Sequence, residues 1–233
     1  MFQNDCAVNI ESLNFAFEQE EILNNINLKI EKGKFYSILG PNGSGKTTLI
    51  KNVCKILSSK YGNIYVDNKG IRRLGSREMA KEMALVPQNT TVEFDFSVLD
   101  IVLMGRTPYI SRFSTESEED LRIVQAAMEA TNIWHLRHKS INSLSGGERQ
   151  RVIVARAITQ ETDIILLDEP ISSLDIYHQV EILNTIKKLN LKKNITIIAV
   201  LHDLNLAAAY SDPIIMMHKG RVYSQGTPEE ILM

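Results

Sequence analysis

The chain has 233 residues, 44% hydrophobic and 23% charged, and its 26 basic against 28 acidic residues give a net charge of 26 − 28 = −2. That length suits one large domain or two small ones, at roughly 100–200 residues each, and it buries a core without disulfides or metal staples. The balance excludes a disordered chain, a collagen-like repeat and a coiled-coil rod, and it leaves no net electrostatic pull towards nucleic acid or an anionic surface. Cys6 and Cys54 fit neither a metal spacing nor a disulfide framework, and are expected to be small buried hydrophobes in a reducing compartment. No run reaches the ~18 apolar residues of a membrane span. Met1–Ala7 carries Asp5 and lacks the pattern of a signal peptide, so a cytoplasmic chain is expected.

In chain order, Leu13, Phe15 and Phe17 alternate as in a strand that faces a core. Lys34–Leu39 reads as a short apolar strand that ends in a Gly-rich turn, followed by a helix over Thr47–Leu57. Tyr61–Gly70, rich in Gly and Asn, reads as an edge hairpin containing a strand at Asn63–Val66, and Ala84–Val86 is a further strand. From Val98 to about Ile158 only helices are expected. One spans Glu116–Asn132, with Leu121, Val124, Ala127 and Met128 on one face and a capping box of Thr115 with Glu118. The acidic run Glu116–Asp120 reads as a solvated helix start whose charges favour the dipole. Asp163–Leu167 and Ile195–Leu201 are too apolar to be half-exposed and read as buried parallel strands. The expected fold is α/β: a mainly parallel core sheet, an antiparallel region at its edge, and an inserted helical block.

Three segments carry chemistry. Gly40-Pro41-Asn42-Gly43-Ser44-Gly45-Lys46-Thr47 matches G-x-x-x-x-G-K-[ST] between a strand and a helix. Glycines are needed where phosphate oxygens crowd the backbone, and successive N–H groups with the helix N-terminus form an anion nest. Lys46 can reach β- and γ-phosphates, and the Thr47 hydroxyl can ligate Mg²⁺. Ile164–Glu169 delivers two carboxylates at the C-terminal end of an apolar strand, where ligands bind in open α/β sheets. By itself Asp168 could equally cap a helix after Pro170; beside the phosphate loop it reads as the Mg²⁺ holder, with Glu169 as proton acceptor for an attacking water. Leu144-Ser145-Gly146-Gly147-Glu148 has capping-box spacing but two glycines in the first helical turn, each costing up to ~1 kcal/mol relative to Ala. A cap does not need them, whereas a close-approaching anion does.

With these segments in place the chain resembles the ATP-binding cassette of an ABC transporter over essentially its whole length. Gly40–Thr47 resembles Walker A, Ile164–Glu169 Walker B, and Leu144–Glu148 the signature that is specific to this class among P-loop proteins. Gln88 matches the Q-loop glutamine, Ser172-Ser173-Leu174-Asp175 the D-loop, and His202 the switch histidine. Phe17 falls where the family stacks an aromatic on adenine, although its alternation with Phe15 and Leu13 also suits a core position. His135, His138, His178 and His218 match no motif role.

The resemblance implies a single cassette over 1–233, with 1–88 and 160–233 as catalytic core and 89–159 as helical subdomain. It implies ATP and Mg²⁺ as cofactors. Phe17, Gly40, Pro41, Asn42, Gly43, Ser44, Gly45, Lys46, Thr47, Thr48 and Gln88 would bind ATP, as would Ser145, Gly146 and Gly147. Thr47, Gln88 and Asp168 would serve the metal, and Glu169, His202 and Lys46 catalysis. Two copies would face each other head to tail, with ATP between Walker A of one and the signature of the other, and with Ser173, Leu174 and Asp175 at the interface. Further partners implied are integral membrane permease subunits and, indirectly, an extracellular or periplasmic substrate-binding protein, but no nucleic acid.

Ile101–Tyr109, Leu174–Gln179 and Gly220–Pro228 look like importer ATPases for iron-siderophore complexes, haem and cobalamin. The expected function is therefore to power metal-chelate import from the cytoplasmic face of the membrane. The alternative is an ABC ATPase that acts as an assembly factor without a permease. Asn89–Arg112, with Val92, Phe94, Phe96, Val98 and Tyr109, fits permease docking and ordinary packing alike.

Overall fold

A computed structural model describes residues 5–88, 94–111, 114–172 and 174–232. Two sheets organise it. The first is antiparallel, in the order β2-β1-β4-β5, from β1 (Cys6–Phe17), β2 (Glu20–Glu31), β4 (Tyr61–Val66) and β5 (Lys69–Gly70). The second has the order β10-β9-β3-β8-β7-β6. Its strands are β3 (Phe35–Leu39), β6 (Met83–Val86), β7 (Ile164–Asp168), β8 (Thr196–Val200), β9 (Ile214–His218) and β10 (Arg221–Gly226). Every pairing in it is parallel except β9 with β10. The helices are α1 (Lys46–Val53), α2 (Ser76–Glu82), α3 (Val98–Leu103), α4 (Glu118–Ala130), α5 (Gly146–Thr159), α6 (Ile176–Lys193), α7 (Leu204–Tyr210) and α8 (Pro228–Leu232).

The period of two in a strand explains the layering. Ile164, Leu166, Ile198 and Val200 face a core shared with β1, β2 and α1. Ile165, Leu167, Ile197 and Ala199 face the opposite core, shared with α3, α4 and α5. All five residues of β3, β7 and β8 are buried, as continuous apolar runs in a parallel sheet require. The strand and hairpin positions agree with the sequence reading to within a residue or two. The long β1–β2 hairpin, with register shifts after Ile10 and Leu13, was legible only as the alternation ending at Phe17.

Four local expectations change. The first helix ends at Val53 rather than Leu57, because Lys55 adopts a left-handed backbone at φ 61° and the chain turns. The capping box of α4 is Ser117 with Asp120, not Thr115 with Glu118. Leu121 is 46% exposed, off the buried face formed by Val124, Ala127 and Met128, and Asp120 is buried in its neighbourhood instead. Cys6 and Cys54 are free but only half-buried.

The burial of Asp120 has a cause. Arg106 is buried, and its guanidinium donates to Asp120 Oδ1 at 2.8 Å, to the Thr159 carbonyl at 2.8 Å and to Glu161 Oε2 at 2.9 Å. This one side chain ties α4 to the C-terminal end of α5. Hydrogen bonds from the Ser117 hydroxyl, then from Arg106, hold the Asp120 carboxyl down at about 2, from an ordinary 3.8. A depressed carboxylate contributes stability that is whole above the unfolded value and is lost as pH falls towards the folded one. Asp120→Asn should therefore cost about 1–3 kcal/mol at neutral pH, with that difference shrinking between pH 4 and pH 2. Denaturant melts of both chains across that range test it; a pH-independent difference would mean that the charge contributes nothing.

Candidate functional site

The phosphate-type loop leaves the end of β3 and enters α1. At Gly40, φ 152°, a β-carbon would lie 2.2 Å from the Met217 carbonyl oxygen. At Gly45, φ 97°, it would lie 3.0 Å from the Ile22 carbonyl oxygen. The first glycine lets the loop graze β9, and the second lets α1 start against β2. The loop is stitched further by Gly220 N–H to the Ser44 carbonyl at 3.1 Å.

A cavity of about 580 Å³ opens over this loop. Asn42 to Thr48 line it, with Gln88 from the end of β6, Glu169 from the end of β7 and His202 from the end of β8. The parallel sheet thus presents three chemistry-bearing residues at the C-terminal ends of neighbouring strands. Glu20 and Ile22 of β2 complete the wall. Sequence reasoning missed both, since they belong to the antiparallel sheet and carry no motif. Phe17 pairs with Glu20 across the hairpin, is 50% exposed and stands edge-on to Phe15 at 4.9 Å between centroids. Leu13 is buried, so the core-facing pattern stops before Phe17, whose exposed ring does not line the cavity although its strand partner Glu20 does.

Within the site, Lys46 is buried, and its ammonium donates to the Gly40 and Pro41 carbonyls at 2.8 and 3.0 Å. Burial lowers its pKa, against the upward pull of Glu169 and Asp168. Among the described residues no carboxylate lies within ion-pair distance of it. Ser44 Oγ is buried with no hydrogen-bond partner. A cation without a counter-ion and an orphaned hydroxyl in one glycine-lined cradle fit a polyphosphate. Thr47 donates its hydroxyl to Asp168 Oδ1 at 2.8 Å, and Asp168 is 3% exposed. Burial pushes the Asp168 carboxyl up, the Thr47 bond opposes this, and the Glu169 charge adds to it. A hydroxyl and a carboxylate oxygen side by side suit a hard cation such as Mg²⁺. No cluster of three His, Cys, Asp or Glu among the described residues could hold a metal. The fit is therefore to a cation that brings phosphate and water ligands with it.

Glu169 has the left-handed φ of 50°, a conformation that costs of order 1–3 kcal/mol for a non-glycine and persists where surroundings impose it. Its two oxygens are separately held: Gln88 Nε2 donates to Oε2 at 2.6 Å, and His202 Nε2 contacts Oε1 at 2.7 Å. The carboxylate can only accept, so His202 carries its proton on Nε2. His202 is itself placed by the residue after it, because Asp203 caps α7 through the N–H groups of Asn205 and Leu206.

The second anion-ready helix end lies elsewhere. Ser145 caps α5: its hydroxyl accepts from the Glu148 N–H, while Glu148 Oε2 accepts from the Ser145 N–H and hydroxyl at 2.8 Å each. These bonds, the backbone one first, lower the Glu148 pKa. The cap takes the N–H of Glu148 and leaves those of Gly146 and Gly147 at the open end. None of Ser145, Gly146 and Gly147 lines the cavity over Lys46. No helix follows Pro170 directly, so Asp168 caps nothing; Asp175 caps α6 instead. Leu174 lies just before that cap, and Ser173 is outside the described residues.

Comparison with known proteins agrees. The ABC transporter family model matches residues 23–172. The ferric enterobactin transport ATP-binding protein FepC of Escherichia coli (strain K12) is 39% identical over 222 residues, covering 95% of this chain and 82% of that protein. The iron(3+)-hydroxamate import ATP-binding protein FhuC of Bacillus subtilis (strain 168) is 38% identical over 226 residues, 97% of this chain and 84% of that one. Among solved structures, the ATP-binding cassette MJ0796, a dimer in a post-hydrolysis state with ADP and Pi, superposes with a TM-score of 0.83 at 28% identity, covering 95% of this chain and 98% of that one. With an α/β fold, a P-loop cavity and these likenesses, the chain belongs to the ABC transporter family as an ATP-hydrolysing, ATP-binding cassette.

Proposed function

We propose that this cassette powers a separate membrane permease that imports metal-chelate compounds of the iron-siderophore, haem or cobalamin kind, working at the cytoplasmic face of the membrane as a homodimer. The observation that carries the hydrolytic part is the carboxylate of Glu169 clamped between Gln88 and His202 in the cavity that holds Lys46. In-line attack of water on the γ-phosphorus breaks the bond to the bridging oxygen and releases ADP and phosphate. Glu169 takes the water's proton, and its two clamps keep the accepting oxygen aimed. Lys46 leaves its carbonyl partners for phosphate oxygens and neutralises their charge. Thr47 and Asp168, with Gln88 nearby, would hold Mg²⁺, which when bound offsets charge on the β- and γ-phosphates. Phe17 would stack on the base. Ser145, Gly146 and Gly147 would close on the nucleotide of the other copy, with Ser173, Leu174 and Asp175 at the interface. We read 89–159 as the helical subdomain and 1–88 with 160–233 as the core.

No described helix is long and apolar enough to cross a membrane. A cavity of about 460 Å³ beside the helical block is lined by Ile56, Met79, Met83, Met104 and Arg156, among others. Met104, Tyr109, Phe94 and Phe96 nearby in sequence are exposed. Val92 lies outside the described residues. Val98 of the same segment is fully buried and belongs to ordinary packing, whereas the exposed Met and Phe support a docked permease. The relatives named above transport ferric enterobactin and iron(3+)-hydroxamate, which supports the cargo class. The test is reconstitution of the chain in vesicles with a permease that co-purifies with it. ATP-dependent uptake of a ferric siderophore, lost with Lys46→Ala, is expected. ATP hydrolysis with no permease association and no uptake would favour the assembly-factor alternative.

A further inference from the structure

His178 lies in the importer-like segment Leu174–Gln179 but has no assigned role, and it stands where the Asp175 segment meets the start of α5. Its backbone N–H donates to Asp175 Oδ1 at 3.0 Å, and its ring Nδ1 lies 2.8 Å from Asp175 Oδ2. Both oxygens of the carboxylate are thereby occupied, and the ionised acceptor requires the proton on Nδ1. The other edge of the ring lies over the start of α5. A β-carbon at Gly147 would be 3.1 Å from His178 Cδ2, tighter than an ordinary contact, and one at Gly146 would meet Leu174 Cδ2 at 3.9 Å. Each glycine of this helix start thus faces one residue of the segment around Asp175. The bare backbone at Gly147 has a reason within its own chain, besides any anion.

The neighbours of His178 extend the brace. Gln179 Nε2 donates to the Ile171 and Leu174 carbonyls at 3.1 and 2.8 Å. Ser172 donates to the Glu169 carbonyl through its hydroxyl at 3.3 Å. One turn further along, Arg151 and Glu181 join α5 to α6 at 2.6 Å. A continuous set of contacts therefore runs from the backbone of Glu169 through the first turn of α6 to Gly147.

We propose that His178 is a positioning residue for ATP hydrolysis: it locks Asp175 and the Ser145–Gly147 helix start together, so that the end facing a partner's nucleotide and the loop that leaves Glu169 shift as one body. This rests on the head-to-tail dimer proposed above. His178→Ala should lower kcat about fivefold or more while KM and the ATP affinity of the dilute monomer stay unchanged. His178→Asn, which returns a donor to Asp175, should recover most of that loss. The decisive cycle pairs His178→Ala with Gly147→Ala in a Glu169→Gln background, reading the ATP-driven dimer dissociation constant by sedimentation. Gly147→Ala should weaken the dimer at least about threefold less when His178 is already Ala, since the ring it collides with is gone. Additive penalties, or native kcat in His178→Ala, would overturn the proposal. If His178→Ala shows no cooperative melt, His178→Ser, which also lacks the ring, takes its place in the cycle with the same two outcomes. A Glu169→Gln chain that never dimerises with ATP and Mg²⁺ instead defeats the dimer reading itself, before His178 enters.

Discussion

Glu169→Gln is expected to keep ATP binding and to slow hydrolysis by about 10²–10⁴-fold, the range for loss of a general base. The isostere fits. It preserves the volume at a side chain that is mostly buried. Its amide oxygen can still accept from Gln88, and its amide N–H₂ can donate to His202 once that ring changes tautomer. What it cannot do is take a proton from water. Lys46, Ser44 and the loop backbone, which would make the ground-state contacts to phosphate in the proposed mechanism, share no hydrogen bond with residue 169 among the described residues. Binding and chemistry should therefore separate cleanly. Equilibrium binding of a fluorescent ATP analogue and single-turnover hydrolysis provide the two readouts. Hydrolysis within a few-fold of the native rate would remove Glu169 from the role of base. Lost binding would show that the carboxylate organises the cradle instead.

The central sheet was legible because burial on both faces leaves a crude mark: continuous apolar runs such as Ile164–Leu167 and Ile195–Leu201. The cradle was legible from its G-x-x-x-x-G-K-[ST] spacing, but the collisions that require Gly40 and Gly45 are with the Met217 and Ile22 carbonyls of β9 and β2, partners distant in sequence. What the sequence hid is whatever depends on a partner far along the chain. Asp120 reads as one more acid in a solvated run until Arg106, fourteen residues earlier, is seen to claim it. The same pairing moved the cap from Thr115 to Ser117, since Asp120 completes the box only with a residue three before it. Glu20 and Ile22 line the nucleotide cavity only because the antiparallel sheet packs its hairpin end against β3 and α1. Gln88, Glu169 and His202 lie 81 and 33 residues apart in sequence, and only the parallel order β6-β7-β8 sets them side by side. Gly147 shows the converse error: its cost was assigned wholly to a ligand, and part of it belongs to the ring of His178.

Ser145→Arg should abolish the ATP-driven dimer, and hydrolysis with it, while the isolated chain binds ATP as before. Ser145 is exposed at the N-terminus of α5 and does not line the cavity over Lys46, so an arginine there projects into solvent and leaves that cavity untouched. The local cost is the capping box with Glu148, about 1 kcal/mol. Ser145→Ala has the same cost without the bulk and serves as control. A second subunit that brings its nucleotide to Gly146 and Gly147 meets a long side chain over the two open N–H groups. Contacts that need a few ångströms of clearance are then lost altogether rather than weakened. The experiment belongs in the Glu169→Gln background, where a dimer would accumulate instead of turning over its ATP. Nucleotide affinity at low protein concentration and sedimentation mass with ATP and Mg²⁺ are the two measurements. Monomer ATP binding destroyed by Ser145→Arg would place the α5 end at its own chain's phosphate loop. A dimer formed as readily as by the Ser145→Ala control would take Ser145 out of the interface.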